Sequence, residues 1–311
     1  MNNLTLRQLR YFAALARHRH FGRAADACAI SQPALSMQIR ELEVSLGTEL
    51  FERGARQLRL TGFGEEFAGR VQDILRSVDE LGDLARASRD GLVGPLRIGV
   101  IPTVAPYLLP AIIGRLTEMN PDLDLHLRET ITPKLVQELD EGKLDTAIVA
   151  LPVSEPTLTE VALFSEDFVL VRPLADSNKP VPDREGLREM RLLLLEEGHC
   201  FRDQALSFCN LAAVPPRELL DGSSLSTLVQ MVGAGIGVTL IPEMAVPVET
   251  RSAAVSIARF RAPQPSRTIG MVWRRSSPFA RQLAQVAEVV RSAGQAGGRG
   301  PGGLRPARKT A

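Results

Sequence analysis

Apolar residues near the start of the chain recur with helical spacing. In residues 5–18 they fall at positions i, i+3, i+4 and i+7, which predicts an amphipathic helix. Residues 23–28 predict a second short helix, and residues 31–47 a third, which opens on Ser-Gln-Pro and closes on glycine. The apolar stripe of the third helix consists of Leu35, Ile39, Leu42 and Leu46. Two helices joined by a tight turn are typical of a helix-turn-helix, which places its second helix in the major groove of DNA.

The outer face of the third helix is polar. The residues that point away from its apolar stripe are Gln32, Pro33, Ser36 and Arg40, which we predict to read DNA bases. Residues 50–53 and 56–61 predict two short strands around a basic turn, a wing beside the helix. Arg53 and Arg56 of this wing are expected to contact DNA phosphates. Residues 1–64 are therefore predicted to form a winged helix-turn-helix domain that binds DNA.

A longer amphipathic helix is predicted from Glu65 to Arg89, in a linker of residues 65–90. Its apolar positions are spaced alternately by four and three residues, the heptad pattern of a coiled coil. These positions are Phe67, Val71, Ile74, Val78, Leu81 and Ala85. An apolar seam on a single helix needs a partner, so we expect the 65–89 helix to pair with its copy in a dimer.

From residue 91 onwards, short β-branched segments alternate with amphipathic helices. Strands are predicted at 96–101, 123–128, 145–151, 168–172, 192–195, 237–241 and 268–273, and helices at 104–119, 133–142, 203–212 and 225–232. This alternation is typical of α/β domains with largely parallel sheets. Crossovers near 165 and 262 are expected to divide the regulatory domain, 91–290, into two subdomains. The predicted subdomains are 91–165 with 267–290, and 166–266.

The composition is that of an ordinary globular protein. The 311 residues are 44% hydrophobic and 23% charged. They contain no apolar run near the roughly 18 residues of a membrane helix and no signal-peptide core, so a membrane or secreted protein is not expected. Three cysteines are too few for a disulfide scaffold. The sequence therefore favours a reducing compartment, the cytoplasm.

The net charge of +1 hides an uneven distribution. Residues 1–64 contain nine Lys or Arg and five Asp or Glu. Residues 291–311 contain five Lys or Arg and no Asp or Glu. Residues 65–290, between them, contain 23 Lys or Arg and 31 Asp or Glu. Basic ends around an acidic middle favour a DNA-binding N-terminus joined to a domain with another task. The last twenty or so residues, 291–311, are also rich in glycine and are predicted to be a disordered basic tail.

The N-terminal motifs resemble the winged helix-turn-helix of LysR-type transcriptional regulators. The matching strings are Ala24-Ala25-Asp26-Ala27-Cys28, Ser31-Gln32-Pro33-Ala34-Leu35-Ser36, Ile39-Arg40-Glu41-Leu42-Glu43, Phe51-x-Arg53 and Leu60-Thr61. The resemblance continues to about residue 290. It implies an α+β multidomain protein with a winged DNA-binding domain, a long linker helix and a two-lobed α/β effector domain like that of periplasmic binding proteins.

Three further strings resemble the peroxide-sensing members of that family. They are Ile101-Pro102-Thr103-Val104-x-Pro106-Tyr107, Glu197-Gly198-His199-Cys200-x-Arg202-Asp203-Gln204-Ala205 with Cys209, and Arg267-Thr268-Ile269-Gly270. This resemblance implies a tetramer built from dimers, a peroxide-reactive Cys200, a resolving Cys209 and control of oxidative-stress genes. The partners it implies are promoter DNA, RNA polymerase, hydrogen peroxide and a cytosolic dithiol reductant, and it implies no cofactor.

The neighbours of Cys200 favour a reactive thiol. His199 and Arg202 flank it at the expected start of a helix, and both cations and a helix N-terminus stabilise a thiolate. Arg267 is either a further cation facing the thiolate or a surface charge, and the alternative for Cys200 itself is an inert buried thiol. In one continuous helix, Cys200 and Cys209 would be about 13.5 Å apart along the axis. A disulfide needs α-carbons within about 7 Å, so closing it would require this segment to remodel.

Two threonines at strand ends are candidates for the same pocket. Thr103 and Thr132 each follow a strand and precede a helix, so we expect both to be N-caps. The carboxyl ends of strands are also where open α/β sheets bind ligands. A second role for both hydroxyls, in holding a peroxide oxygen, therefore stays open.

Two other functions stay open from the sequence. A LysR-type regulator that binds a metabolite between its lobes would carry the cysteines incidentally, and Cys200→Ser would leave its response intact. A thiol peroxidase is disfavoured because Pro106 stands where a Thr-x-x-Cys motif starting at Thr103 would need cysteine. Gly233-x-Gly235-x-Gly237 follows a helix, the reverse of the dinucleotide-binding order, and the four histidines are too scattered for a metal site. A regulator, and not an enzyme, is the leading hypothesis.

Overall fold

The protein, described from a computed structural model, comprises two compact units, Met1–Ala85 and Arg86–Ala311. The structure describes residues 4–52, 58–88, 91–208, 219–297 and 305–306. Within those ranges, no helix combines the length and the apolar character needed to cross a membrane.

Three short helices and the start of a long one form the N-terminal unit. They are α1 (Leu6–His18), α2 (Phe21–Ala27), α3 (Gln32–Leu46) and α4 (Gly62–Ala87). Thr5 and Gln8 form the predicted capping box, and the hydroxyl of Ser31 accepts the N–H of Ala34 at the start of α3. The helix α2 begins earlier than predicted because His20 caps it, its Nδ1 accepting the N–H of Arg23. The core of this unit is built around Phe12, Leu15, Leu35, Leu42 and Leu50.

Only the base of the predicted wing lies in the described residues. Phe51 and Leu60 form an antiparallel bridge, and the N–H of Glu52 donates to the carbonyl of Arg59 at 2.9 Å. Residues 53–57, which include Arg53 and Arg56, lie outside the described residues. The tip of the wing and its phosphate contacts therefore stay a prediction.

The long helix α4 begins at Gly62 rather than at Glu65. The Thr61 hydroxyl caps it by accepting the N–H of Gly64 at 2.9 Å. Gly64 is fixed by close packing, since a Cβ there would lie 2.2 Å from the Leu50 carbonyl oxygen. The predicted seam is divided, because Val71 is buried in the core of the N-terminal unit and Phe67 packs against that core. The large exposed apolar residues further along α4 are Ile74, Leu81 and Leu84.

The second unit contains one mixed sheet with helices packed on it. Its strands are β1 (Gly94–Val100), β2 (Leu123–Glu129), β3 (Thr146–Leu151), β4 (Leu158–Pro173), β5 (Leu192–Leu195), β6 (Leu219–Gly222), β7 (Val238–Pro242), β8 (Val255–Arg259), β9 (Ser266–Arg274) and β10 (Arg305–Pro306). The main path runs β2-β1-β3-β9-β4-β7-β5-β6, and β8 and β10 pair with β4. The helices that precede the last are α5 (Ala105–Met119), α6 (Thr132–Asp140), α7 (Arg184–Arg188), α8 (Cys200–Phe208), α9 (Leu225–Gly233) and α10 (Val246–Glu249).

The expectation of largely parallel sheets is correct only at the two ends of this sheet. The strands β1, β2 and β3 run parallel, and so do β5, β6 and β7. The long strands β4 and β9 run antiparallel to their neighbours and to each other. The sequence analysis missed β6, β8 and the first half of β4. The side chains of β8 alternate poorly between buried and exposed, which is typical of an edge strand and gives a weak signal.

Two hydrophobic cores divide the second unit into lobes. The first lobe is packed around Ile98, Ile148, Phe164, Val272 and Leu283. The second is packed around Phe168, Leu193, Val229, Leu240 and Phe260. The chain passes from the first core to the second within β4, between Phe164 and Phe168. It returns to the first core between Phe260, which precedes β9, and Ile269, which lies in β9.

The prediction that residues 291–311 are disordered is wrong for the first part of this segment. Helix α11 (Ala280–Gly297) continues seven residues past 290, and Val290 and Ala293 are buried in the first core. Gly294 is needed there, because a Cβ would meet the Phe164 ring at 2.3 Å. Glycine content predicted disorder at a place where glycine instead permits close helix packing. Arg305–Pro306 pairs with β4, and the other residues beyond 297 lie outside the described residues.

Candidate functional site

A narrow, closely packed cleft lies at the first turn of α8. Its lining residues are Ile101, Pro102, Thr103, Ile131, Thr132, His199, Cys200 and Phe201. Gly198 creates the turn before α8 with a φ of +92°, and a Cβ there would lie 2.9 Å from the Ile131 side chain. The structure therefore brings Cys200 together with three of the predicted pocket residues, Thr103, Thr132 and His199.

Thr132 does not cap α6, contrary to our expectation. The N-cap of α6 is Ile131, which makes no side-chain cap bond, and Thr132 is the first helical residue. Its Oγ1 is buried and has no hydrogen-bond partner. A buried hydroxyl without a partner is costly, which indicates that a polar molecule bound in the cleft would complete its bonding.

Thr103 is not an N-cap either, because α5 begins two residues later and its N-cap is Val104. The hydroxyl oxygen of Thr103 instead accepts a hydrogen bond from Nη1 of Arg267 at 2.7 Å. The Thr103 carbonyl accepts a second bond, from Nη2, at 3.0 Å. Because the hydroxyl oxygen is an acceptor here, its proton is left to donate to another group.

Arg267 lies behind the cleft and is neither a surface charge nor a lining residue. Its side chain is fully buried beside that of Glu166, with Nη2 2.7 Å from the carboxylate. Burial raises the pKa of Glu166 above the usual value for a carboxylic acid, although the charge of Arg267 opposes this effect. The guanidinium also lies 5.3 Å from the centre of the Phe201 ring. Arg267 therefore contacts Thr103 on one side of the cleft and Phe201 on the other.

His199 and Cys200 are both half-buried at the N-terminus of α8. Burial lowers the pKa of His199, and the charge of Glu196 opposes this effect. At neutral pH the uncharged imidazole is therefore favoured, and a neutral ring can take part in the cleft as a hydrogen-bonding group.

Arg202 is not among the residues that line the cleft. Its Nη1 donates to the carbonyl of Leu195 at 2.7 Å and to the carboxylate of Asp221. Helix α8 ends at Phe208, and Cys209 lies outside the described residues. Cys200 and Cys28 are free thiols in the described part of the chain.

Gln204 is a polar residue of this region that the sequence analysis did not select. Its amide Oε1 is buried and has no hydrogen-bond partner. Gln204 lies one turn after Cys200 in α8, on the same side of the helix. The i, i+4 spacing from Cys200 is the signal that could have identified it.

The N-terminal unit presents a separate polar face on α3. Gln32, Pro33, Ser36 and Arg40 are all exposed there, while Leu35, Ile39 and Leu42 are buried. Met37 lies among the exposed residues, with 56% of its surface accessible, although the sequence analysis did not select it. The predicted DNA-reading side chains are thus available to a partner on one surface.

No cluster of three or more His, Cys, Asp or Glu side chains within the described ranges could hold a metal ion. The chemistry at hand in the cleft is that of one thiol, two hydroxyls and one imidazole. A thiol beside hydroxyl donors can be oxidised by a small polar oxidant that those donors bind.

Comparisons with known proteins match both units to one family. The family described as "Bacterial regulatory helix-turn-helix protein, lysR family" matches residues 6–65, and "LysR substrate binding domain" matches residues 89–295. The chain is 43% identical to the "DNA-binding transcriptional dual regulator OxyR" of Escherichia coli (strain K12), over 93% of this chain and 95% of that protein. These matches confirm the predicted order of a helix-turn-helix domain followed by a LysR effector domain.

Two solved structures are similar over nearly the whole chain. Full-length OxyR from Pseudomonas aeruginosa, a single-residue variant, has a TM-score of 0.73 and 38% identity, covering 93% of this chain and 95% of that one. A hydrogen peroxide-bound variant of OxyR from Corynebacterium glutamicum has a TM-score of 0.65 and 36% identity, covering 94% and 93%. The similarity therefore spans both the N-terminal unit and the unit that contains the cleft.

Proposed function

Because this chain belongs to the LysR family of bacterial transcriptional regulators, and resembles its OxyR members, we propose that it is a DNA-binding regulator switched by hydrogen peroxide at Cys200. The observation that carries the site assignment is the buried Thr132 hydroxyl, which has no partner in the same cleft as Cys200. Hydrogen peroxide offers both donors and acceptors, so it can form a hydrogen bond with this hydroxyl.

The proposed reaction is a two-electron oxidation of the thiol. The Cys200 sulfur attacks one oxygen of hydrogen peroxide, the O–O bond breaks, and the second oxygen leaves as water with the thiol proton. Cys200 becomes a sulfenic acid. Thr103 donates a hydrogen bond to the peroxide, while Thr132 and the neutral His199 hold its other polar atoms. Arg267 acts through Thr103.

The sulfenic acid is then resolved by Cys209. The Cys209 sulfur attacks the Cys200 sulfur, a disulfide forms, and the hydroxyl leaves as a second molecule of water. A cytosolic dithiol restores both thiols, becoming a disulfide itself. Because α8 begins at Cys200 and extends to Phe208, the bond requires this helix to unwind or shift.

The DNA-binding part of the proposal rests on the exposed face of α3. Gln32, Pro33, Ser36 and Arg40 read bases in the major groove, and Arg53 and Arg56 of the wing contact phosphates. The α4 helices pair in a dimer, and two dimers form a tetramer. The tetramer contacts RNA polymerase at promoters, which places the protein in the cytoplasm. It is a regulator and not an enzyme, so each chain reacts with peroxide once per reduction cycle.

The decisive experiment replaces single cysteines in the full-length protein. Cys200→Ser abolishes the change that peroxide causes in transcription from a bound promoter, and DNA binding by the reduced form stays intact. Cys209→Ser still oxidises at Cys200 but forms no disulfide by peptide mass analysis. Cys28→Ser, which removes the free thiol of the N-terminal unit, is the control and responds normally. A Cys200→Ser protein that keeps its response would contradict the proposal and favour a regulator that binds a metabolite.

A further inference from the structure

A buried carboxylate lies behind the cleft and has no role in the reaction proposed above. Glu166 is in β4, between the two cores, and its side chain and that of its partner Arg267 are both 0% exposed. We propose that Glu166 is a positioning residue for peroxide oxidation of Cys200, acting through Arg267 and Thr103. This inference rests on the proposed function of Cys200.

The contacts of Glu166 fix the plane of the Arg267 guanidinium. One carboxylate oxygen, Oε1, lies 2.8 Å from Nε and 2.7 Å from Nη2. The guanidinium is rigid and planar, so holding this edge also fixes the direction of Nη1 on the other edge. Nη1 is the group that donates to the hydroxyl oxygen of Thr103.

The Arg267 bond decides what the Thr103 hydroxyl offers to the cleft. A threonine hydroxyl has one donor and two acceptor positions, and its rotation is free unless a partner fixes it. With Nη1 donating to the oxygen, and Nη2 holding the carbonyl of the same residue, the hydroxyl proton must point elsewhere. Since Thr103 lines the cleft, that proton is presented to the bound oxidant. Glu166 thus determines, through Arg267, that the Thr103 hydroxyl acts as a hydrogen-bond donor in the cleft.

The same pair of charges also contacts the second lobe. The Arg267 guanidinium lies against the ring of Phe201, the residue after Cys200. Oε2 of Glu166 accepts the N–H of Met244, which follows β7, at 3.4 Å. Thr103 belongs to the first lobe and Phe201 packs in the core of the second. By positioning the Arg267 side chain, which contacts both Thr103 and Phe201, Glu166 therefore holds the two sides of the cleft in place.

The test compares two reactions of Cys200 in full-length protein. Glu166→Gln keeps the shape of the side chain but replaces one carboxylate oxygen with an amide group, so Arg267 is held less firmly. We expect the second-order rate of Cys200 oxidation by hydrogen peroxide to fall by about 10- to 100-fold, the cost of a small misplacement of reacting groups. Alkylation of Cys200 by iodoacetamide, which needs no oriented hydroxyl, stays within about twofold. A purely structural role would change both rates together.

A double-mutant cycle tests whether the effect passes through Thr103. Glu166→Gln added to Thr103→Val should slow peroxide oxidation no further, because the group that Glu166 positions is already absent. Glu166→Asp, which keeps the charge, should show a smaller loss and serves as the test variant if Glu166→Gln does not fold. Asp145→Asn is the matched control, since it weakens another carboxylate–arginine pair, in which buried Asp145 binds Arg97 in the middle of β1.

Three results would overturn the assignment: an unchanged peroxide rate in Glu166→Gln, an equal loss in both reactions, or additive losses with Thr103→Val. The parent protein separates this inference from the proposed function. A parent in which Cys200 fails to react with peroxide contradicts the proposed function itself. A reactive parent with an unaffected Glu166→Gln variant contradicts only the role of Glu166.

Discussion

The two threonines of the cleft occupy similar places in the fold but have opposite bonding. Each follows a strand of the first lobe and lies beside the first turn of a helix. Thr103 accepts a hydrogen bond from a buried arginine, whereas the Thr132 hydroxyl has no partner. A buried group with a charged partner stabilises the fold, and one without a partner destabilises it. The Thr103 hydroxyl should therefore stabilise the fold and the Thr132 hydroxyl should not, although both contribute to the cleft.

We predict that Thr132→Val leaves the free energy of unfolding unchanged or slightly raised, because it removes an unpaired buried hydroxyl. Thr103→Val should lower it by about 1–3 kcal/mol, because an N–H of Arg267 loses its acceptor. Both variants should oxidise more slowly at Cys200. Urea unfolding and peptide mass analysis after peroxide treatment measure the two effects. Equal losses of stability would show that the hydroxyls are bonded alike.

His199 gives the cleft a predictable dependence on pH. Burial disfavours the charged imidazole, so the pKa of His199 lies below the value of about 6.5 in the unfolded chain. The contribution of the neutral ring to stability is therefore complete above that pH and is lost as the pH falls through the lower folded pKa. We expect the parent to lose stability relative to His199→Gln between pH 7 and pH 5.

Urea unfolding of both proteins across this pH range measures the change. An NMR titration should also give a midpoint for the His199 ring below about 6.5. His126→Gln, which removes a histidine whose side chain is 58% exposed, is the control variant. A parent that gains stability relative to His199→Gln on acidification would mean that the charged imidazole is stabilised in the cleft.

At the scale of elements, α4 has two tasks along its length. Its first turns contribute Val71 to the core of the N-terminal unit. Beyond them, Ile74 and Leu81 remain 46% and 66% exposed. The apolar positions of α4 lie on one side of the helix. The exposed residues Ile74 and Leu81 therefore lie on the same side as Val71, which is buried in the core. A second copy of α4 with the same heptad pattern can cover it.

We predict that Val78→Asp yields monomers, because a charge in the seam would have to be buried without a partner. Sedimentation measures the association state. The affinity for a promoter should fall as well, since two half-sites are no longer held by one molecule. Gln72→Asp introduces the same charge at an exposed position on another side of α4 and should stay dimeric. A dimeric Val78→Asp protein with normal affinity would contradict the seam.

At the scale of the whole molecule, the Cys200 thiol lies where the two lobes meet. Cys200 begins a helix of the second lobe and also packs against the core of the first. The strands β4 and β9 cross between the lobes and carry Glu166 and Arg267. Remodelling α8 to form a disulfide must therefore alter packing in both lobes. A change of this kind, confined to one small element, can alter the surfaces that subunits present to one another.

We predict that oxidation changes the spacing of the protected sites on promoter DNA without abolishing binding. Footprints of the reduced and peroxide-treated parent protein measure the spacing. Cys200→Ser should give the reduced pattern under both conditions. If the footprint of the parent changes while no peptide links Cys200 to Cys209, the sulfenic acid alone is the signal and the disulfide step is wrong.

The sequence alone determined the parts that depend on local pattern. The capping box at Thr5, the cap at Ser31 and the stripe along α3 involve residues close together in the chain, so their spacing was sufficient. The motif around Cys200 was sufficient to place it at the first turn of a helix. The helix-turn-helix was correct for the same reason, whereas the effector domain was identified by resemblance to LysR-type regulators.

Tertiary structure decided which polar groups bond to one another, and for these pairs local sequence patterns were not sufficient. Arg267 bonds to Glu166 across 101 positions and to Thr103 across 164, and no local pattern reports such pairs. Arg202 lies beside Cys200 in sequence but turns towards Asp221. The antiparallel crossing of β4 and β9 and the packing of Gly294 against Phe164 likewise come from contacts between distant segments. Periodicity records which face of an element is buried, but the partner on that face is chosen only when the chain packs.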